Sequence, residues 1–210
     1  FDPETVIGMP STSPSASAGT DGQPEGGQTP APGQQPDGPV SPNGDYSPFW
    51  GTYKGTLVAS SNTIEAYGVT GSFDNPEVTI TLDKDGYMTL SYTFNSTYSY
   101  ENYGATMSGT STLPVSFKPV RLTRTMAGYM GDDRSGGFTA TTVTRYAGEG
   151  YEGGGGDVTT TAAYSAEFSV MFELRRENGQ IVAIADGYVL QRASGSEDSI
   201  YLSFRITKAG

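Results

Sequence analysis

Alternation of apolar and polar residues begins after Trp50 and recurs to the C-terminus. Residues 78–82 read Val-Thr-Ile-Thr-Leu and residues 88–94 read Met-Thr-Leu-Ser-Tyr-Thr-Phe, with Asp85-Gly86 between the two runs. A period of two is that of a strand with one buried face, and Asp-Gly favours the tightest hairpin turns. The pattern therefore predicts a β-hairpin over residues 78–94.

A second hairpin is predicted further along the chain. Apolar residues alternate over 168–174, Asn178-Gly179 supplies the turn, and a second strand returns over 181–190. Gly187 interrupts the returning strand, which predicts a bulge or kink at this position. Residues 200–206 alternate again and place Tyr201 on the polar side.

Together, the extended segments give about nine or ten strands joined by short turns. Pro114 and Pro119 predict strand edges or corners, because proline has no N–H to donate to a neighbouring strand. No segment keeps a helical period over three turns. The predicted fold class is all-β: a single antiparallel β-barrel or a two-sheet β-sandwich, preceded by a long disordered-type tail.

That tail comprises residues 1–48. It holds 10 of the 13 prolines, is rich in Gly, Ser and Gln, and contains no Lys or Arg. With few apolar side chains to offset the entropy cost of ordering, the composition predicts an acidic tether. The sequence thus divides into a tether over 1–48 and a β-domain over 49–210. We expect the tail to acquire shape only by lying along a partner.

Composition excludes several kinds of chemistry. The chain has neither Cys nor His, which removes thiol nucleophiles, Ser-His-Asp triads and the usual zinc sites. A formal net charge of −11 disfavours nucleic acid and anionic lipid surfaces. We therefore predict a protein that is not an enzyme, with no catalytic residues, no metal site, no cofactor, no nucleic-acid partner and no transmembrane segment.

The best candidate for ligand binding is the aromatic segment that holds Tyr98, Tyr100, Asn102 and Tyr103. Tyrosine rings give contact area at low entropy cost, and neighbouring Ser and Asn side chains supply adaptable hydrogen bonds. We predict that these four residues form an aromatic binding loop. The alternative is that the tyrosines pack across strands of a sheet.

Two segments resemble a known family. Residues 49–57, Phe-Trp-Gly-Thr-Tyr-Lys-Gly-Thr-Leu, look like the opening strand of calycin-like barrels. Residues 78–94 are similar to the following hairpin in calycin-like domains of secreted Bacteroidetes lipoproteins. The resemblance covers roughly residues 49–95. It implies a lipocalin-like β-barrel at the cell surface, anchored in the outer membrane through a lipidated residue upstream of Phe1, and a role beside SusC/SusD-type importers.

Three functions are compatible with these observations. The leading one is a non-enzymatic cell-surface lipoprotein module, an accessory or ligand-binding subunit of an outer-membrane nutrient-uptake complex whose proteins hold the tail. The second is a stand-alone carbohydrate-binding or carbohydrate-cleaving domain, which predicts a Tyr or Trp platform beside carboxylates. The third is a structural subunit of a surface filament joined by a donated strand. A glycan or a peptide is the expected ligand.

Overall fold

A computed structural model of the chain describes residues 33, 35–66, 68–102, 105–134, 136, 138–148, 157–192 and 199–208. By its internal contacts the chain divides after Gln34, and the second unit, Gln35–Gly210, is compact. Residues 1–32 of the predicted tether lie outside the described residues. The fold is therefore that of the second unit.

This unit is built almost entirely from strands. The described residues form β1 (Gly38–Val40), β2 (Gly51–Thr56), β3 (Val58–Ala59), β4 (Thr63–Ala66), β5 (Val69–Phe73), β6 (Glu77–Leu82), β7 (Tyr87–Asn102), β8 (Ala105–Ser116), β9 (Val120–Arg121), β10 (Thr123–Arg124), β11 (Gly128–Asp133), β12 (Phe138–Gly148), β13 (Asp157–Tyr164), β14 (Ala166–Glu177), β15 (Gln180–Arg192) and β16 (Ser199–Thr207). One turn of 3-10 helix, Ser47–Phe49, precedes β2. Over the described ranges, no helix has the length and apolar character that crossing a bilayer requires.

The strands form two antiparallel sheets. Sheet A has the order β10-β11-β14-β15-β16-β3, with β1 also paired to β14. Sheet B has the order β13-β12-β8-β7-β5-β4, with β6 and β9 also paired to β7 and β2 paired to β6. Neither sheet closes on itself among the described strands. The predicted all-β class is thus confirmed, in its two-sheet form rather than as a barrel.

Aromatic side chains join the two sheets in one core. The Tyr53 ring of β2 lies edge-on to Phe172 of β14, with centroids 5.3 Å apart. Phe117, which follows β8, meets Phe168 of β14 at 4.7 Å. Edge-to-face aromatic pairs add about 0.5–1.5 kcal/mol to the gain from burial alone. The alternating pattern supplies these residues because it turns every second side chain of each strand inward.

One buried hydrogen bond also crosses between the sheets. Tyr92 Oη of β7 donates to Gln191 Oε1 of β15 over 2.7 Å, and Gln191 is only 3% exposed. Burial raises the pKa of the Tyr92 phenol, since the phenolate would lose its hydration. The pair is satisfied internally, so it fixes the relative placement of β7 and β15 without an orphaned polar group.

Both predicted hairpins form. Residues 78–82 pair with 88–92, and the β14–β15 turn has φ of 52° at Asn178 and 78° at Gly179. Two successive positive φ values are those of the type I′ turn that Asn-Gly favours.

Gly187 does not form the predicted bulge. The β14–β15 register runs through it without a break, with Gly187 facing Val170. A Cβ at this position would lie 2.2 Å from the carbonyl oxygen of Ser169. Glycine is needed because the neighbouring backbone comes too close, not because the strand is interrupted.

Residues 35–48, the strap, were assigned to the tether but belong to the compact unit. β1 within the strap pairs with residues 174–176 of β14. Asp37 accepts a hydrogen bond from the Asn178 N–H over 3.2 Å. At the other end, the Tyr46 ring stacks on Tyr129 with centroids 4.3 Å apart.

The compact unit therefore starts at Gln35 and not at Phe49. The expectation that the tail acquires shape only on a partner is wrong for the strap, since the chain's own β-domain supplies the contacts. Composition predicted a tether because proline and glycine dominate the segment, whereas a short strand and a few side-chain contacts are enough to hold it.

Candidate binding site on the outer face of sheet A

The predicted tyrosine loop is a strand. Tyr98, Tyr100 and Asn102 lie in β7, and Tyr103 lies outside the described residues. A Cβ on Gly109 of β8 would lie 2.4 Å from Tyr98 Oη, so the Tyr98 ring covers this glycine. Tyr98 thus packs across strands, which is the alternative that the sequence left open. A binding role for the four residues stays a prediction.

The outer face of sheet B carries hydroxyl groups and two shallow grooves. The larger groove, about 550 Å³, is lined by Asp74, Glu77, Thr93 and other polar residues. The smaller one, about 260 Å³, shares Asp74 and Asn95 with it. The aromatic residues that line the two grooves, Tyr92 and Phe73, are each only 5% exposed. These grooves can form hydrogen bonds, but they offer no aromatic surface for stacking.

The outer face of sheet A is different. Three residues from each of β14, β15 and β16 lie side by side in three rows on this face, and we call them the grid. The strand registers give the rows as Glu167–Leu190–Tyr201, Ser169–Tyr188–Ser203 and Met171–Asp186–Arg205. With strands about 4.8 Å apart and alternate residues about 6.7 Å apart, the grid spans roughly 10 by 13 Å. That area is large enough for a sugar ring.

Two tyrosines form the aromatic centre of the grid. Tyr188 and Tyr201 are diagonal neighbours on β15 and β16, and their rings stack with centroids 5.3 Å apart at 23°. Diagonal neighbours on a sheet face are within reach of aromatic side chains. Tyr201 nevertheless stays 49% exposed. Half of a large amphipathic ring is therefore available to another molecule.

Charged residues occupy one side of the grid. Arg205 lies 3.6 Å from Asp186 and 2.9 Å from Glu177, measured between guanidinium nitrogen and carboxylate oxygen. Glu177 is the last residue of β14, opposite Gln180 and six residues beyond Met171 of the grid. These exposed ion pairs hold the arginine and the carboxylates in place next to Tyr188 rather than contributing much stability.

A cleft continues the grid at its opposite side. It encloses about 180 Å³ and is lined by Arg134, Arg192, Glu167, Leu190 and the backbone near Ser165. Glu167 and Leu190 belong to both the cleft and the first row of the grid. Arg134 is positioned by Asp132, whose carboxylate oxygen lies 3.2 Å from the guanidinium Nε. Two arginines and a glutamate thus stand beside the exposed Tyr201 row.

This arrangement fits a polyhydroxylated ligand. Stacked tyrosines give an apolar surface for the C–H face of a sugar, and phenol, carboxylate and guanidinium groups around them accept and donate hydrogen bonds. The arginines would also donate hydrogen bonds to the carboxylate of an acidic sugar. The described residues contain no group of three or more acidic side chains placed to hold a metal ion.

Sequence reasoning assigned neither tyrosine of this face to a binding site, although it predicted the orientation of one of them. The alternation over 200–206 puts Tyr201 on the outward face, and the structure confirms this side. Its stacking partner, Tyr188, lies 13 residues earlier on the preceding strand and meets Tyr201 only through the β15–β16 register. The signal available in the sequence was a pair of outward tyrosines on consecutive strands, but their register could not be read from it.

The comparisons with known proteins return nothing for this chain: no protein-family model, no curated protein and no solved structure matches it.

Proposed function

We propose that the chain is a non-enzymatic, surface-displayed module that binds glycans on the grid of sheet A. The observation that carries the proposal is the stacked Tyr188–Tyr201 pair, in which the Tyr188 ring is half-buried and Tyr201 stays 49% exposed. Exposed aromatic clusters rimmed by polar groups are typical of binding sites. The proposal keeps the ligand-binding part of the leading hypothesis and takes its ligand from the carbohydrate-binding alternative.

The cellular setting is part of the same proposal. An acidic, proline-rich segment ahead of a β-domain suits a module held away from a membrane surface. We propose that an upstream lipidated residue anchors it in a Bacteroidetes outer membrane, beside SusC/SusD-type importers and with its tail along their proteins. The support for this setting is the tail composition and the resemblance of residues 49–57 and 78–94 to calycin-like lipoproteins. Recovery of the importer subunits with the chain from native membranes is the expected result, and recovery of the chain alone would contradict it.

The glycan proposal is tested by an array of neutral and acidic polysaccharides, probed with the full chain. Tyr201→Ala is expected to weaken binding about tenfold or more, since an exposed ring contributes about 1–2 kcal/mol through stacking and burial. Tyr87→Ala is the matched control, because Tyr87 is an exposed tyrosine (39%) of β7 on sheet B. Tyr100→Ala tests the binding role predicted for the tyrosine segment.

Three results would count against the site on sheet A. An array without any bound glycan would remove the function. An equal loss of glycan binding with Tyr87→Ala would show that exposed tyrosines bind nonspecifically on either sheet. A loss with Tyr100→Ala alone would move the site to β7.

A further inference from the structure

β13 is a terminal strand of sheet B. Among the described strands it pairs with β12 alone, over residues 157–164. Its side chains from Thr159 to Tyr164 are exposed or half-buried. In an antiparallel strand, alternate residues turn their N–H and C=O groups away from the one partner, so a terminal strand presents a row of backbone groups to solvent.

The other edge strands are short, charged, interrupted by proline or covered. β9 has two residues, and β2, which pairs only with β6 in sheet B, is joined by a bridge at Tyr53 to Lys208, directly after β16. β3 and β10 are two residues long, and β10 ends on Arg124. β1 has three residues with Pro39 at its centre, and β4 has four residues that include Glu65. Short length, charge and proline are the usual ways in which proteins block an edge.

Apart from the charge of Asp157 at its first position, β13 has none of these devices. It is eight residues long, reads Asp-Val-Thr-Thr-Thr-Ala-Ala-Tyr, and contains no proline, glycine, lysine or arginine. Its register with β12 is continuous from Phe138 opposite Tyr164 to Arg145 opposite Asp157, so no bulge twists the edge away. An unblocked, regular edge of this length is suited to pairing with another strand.

We propose that β13 pairs antiparallel with β13 of a second copy of this chain, about a two-fold axis at Thr161. In this register Thr161 faces its own copy, Thr159 faces Ala163, and Thr160 faces Ala162. The single charged residue of the strand, Asp157, falls opposite Ser165, so no like charges meet across the axis. Threonine pairs across antiparallel strands are favourable, and directly opposed like charges are not.

The symmetry of this pairing decides how the two copies face. A two-fold axis that generates antiparallel strands within one sheet is perpendicular to that sheet, so both copies keep the same side outward. The two grids of sheet A then lie on one side of the dimer. The dimer would then bind a polysaccharide at two points with increased avidity. This consequence, unlike the dimer itself, rests on the proposed glycan function.

A dimer held by one strand pair has a small interface, and small interfaces are weak and concentration-dependent. We therefore expect monomer at micromolar concentrations or below and dimer near millimolar concentrations, as for weak association in general. Sedimentation of the full chain over this range is expected to show a mass rising toward twice 22.1 kDa.

The register is tested by cysteine cross-linking, since the chain has no cysteine of its own. Thr161→Cys places the two sulfurs opposite each other, within the Cα separation that a disulfide bridges. Thr159→Cys is the matched control: residue 159 faces residue 163 of the copy, which leaves its own counterpart about 13 Å away along the strand. Under mild oxidation we expect Thr161→Cys to give covalent dimer at least about ten times faster than Thr159→Cys, on the grounds of that geometry.

A mixture of Thr159→Cys and Ala163→Cys proteins extends the same test. Residues 159 and 163 face each other across the axis, so the mixture is expected to cross-link efficiently into mixed dimers. Equal rates for Thr161→Cys and Thr159→Cys, or no covalent dimer from either, would overturn the proposal.

Charge placed on the axis gives an independent test. Thr161→Lys sets two ammonium groups opposite each other and is expected to leave the chain monomeric over the whole concentration range. Thr93→Lys is its control, because Thr93 is an exposed threonine of β7 in the interior of sheet B. A wild-type chain that stays monomeric near millimolar concentration, or a Thr161→Lys chain that still dimerises, would overturn the proposal. Glycan binding by single copies is expected to be unchanged in Thr161→Lys, so the outcome is separable from that of the glycan test.

Discussion

The outer faces of the two sheets carry different chemistry on scaffolds built in the same way. On sheet A, stacked tyrosines and arginine–carboxylate pairs connect neighbouring strands. On sheet B, hydroxyl groups pair with each other, as Ser72 does with Thr97 at 2.9 Å and Thr141 with Thr161 at 2.8 Å. Threonine is favoured on any exposed strand, so sheet B needs no ligand to explain its face. The Tyr201 ring, by contrast, stacks on Tyr188 and still leaves half of its surface to solvent, and this difference is why we propose binding on sheet A.

The largest expected effect is on the core that the two sheets share, so it would destabilise both outer faces together. Phe172 is fully buried and meets Tyr53 of the other sheet. Phe172→Ala is expected to lower the free energy of unfolding by about 3–5 kcal/mol, through lost burial and a cavity. Denaturant unfolding followed at tyrosine and by far-UV circular dichroism checks this. The unfolding transitions seen by the two probes should shift together because the sheets share one core. A shift seen by one probe alone would show that the two sheets unfold independently.

A smaller change should disturb sheet A and leave sheet B in place. Gly187→Ala brings a Cβ to 2.2 Å from the Ser169 carbonyl oxygen, between β14 and β15 beneath the grid. Overpacking of this kind costs about 1–3 kcal/mol. Hydrogen exchange should rise at β14 and β15 more than at β7 and β8. Gly71→Ala in β5 is the control on sheet B, where the nearest atom would be at 3.0 Å; an equal rise in both sheets with Gly187→Ala would contradict the local effect.

Alkaline pH tests the hydrogen bond that joins the sheets. Burial raises the Tyr92 pKa above the value of about 10 that the unfolded chain has. Between those two values the unfolded chain loses the proton and the folded chain keeps it, so stability is complete below pH 10 and falls as pH rises further. The expected contribution is about 1.4 kcal/mol per pH unit.

Tyr92→Phe is the variant that isolates this effect. It should be less stable at neutral pH, because Gln191 loses its partner, and it should show a shallower decline above pH 10. If the free energy of unfolding falls with pH above 10 as steeply in the variant, the decline belongs to other tyrosines. Tyr53 is one of them, because burial raises its pKa as well.

The smallest expected effect lies in the charges of the grid. Arg205 makes two exposed ion pairs, with Asp186 and Glu177. Arg205→Ala is expected to cost less than about 1 kcal/mol, and the cost should shrink with added salt. Thr97→Ala on the hydroxyl face should show no such salt dependence. Thermal unfolding at low and high salt measures both, and an Arg205→Ala cost that persists in high salt would mean that packing, not charge, holds this side of the grid.

Much of the fold could be predicted from local pattern. Alternation with Asp85-Gly86 and Asn178-Gly179 predicted two hairpins, because turn chemistry and strand period act over a few residues. Pro114 was predicted at an edge or corner, and the structure places it in β8 beyond the reach of β12, where no N–H is needed on that side. The choice between barrel and sandwich depends on long-range pairing, which a local pattern does not contain.

The strap and the grid show why the rest could not be predicted. Asp37 and Tyr46 anchor the strap through contacts with Asn178 and Tyr129, residues far away in the chain. A proline-rich composition gives no sign of single contacts with such distant residues. In the grid, an outward Tyr201 was predicted, but one exposed ring does not indicate a binding surface unless the residue beside it on the next strand is known. That neighbour depends on register, which one-residue slips change completely.

The most direct test of the central claim is to map a bound sugar onto the two faces. Backbone amide shifts of the labelled full chain would be followed while the oligosaccharide bound best on the array is added. The account predicts shift changes concentrated in β14, β15 and β16 around Tyr188 and Tyr201, with residues of β7 and β8 unchanged. Changes confined to the grooves of sheet B, around Thr93 and Asn95, would contradict it.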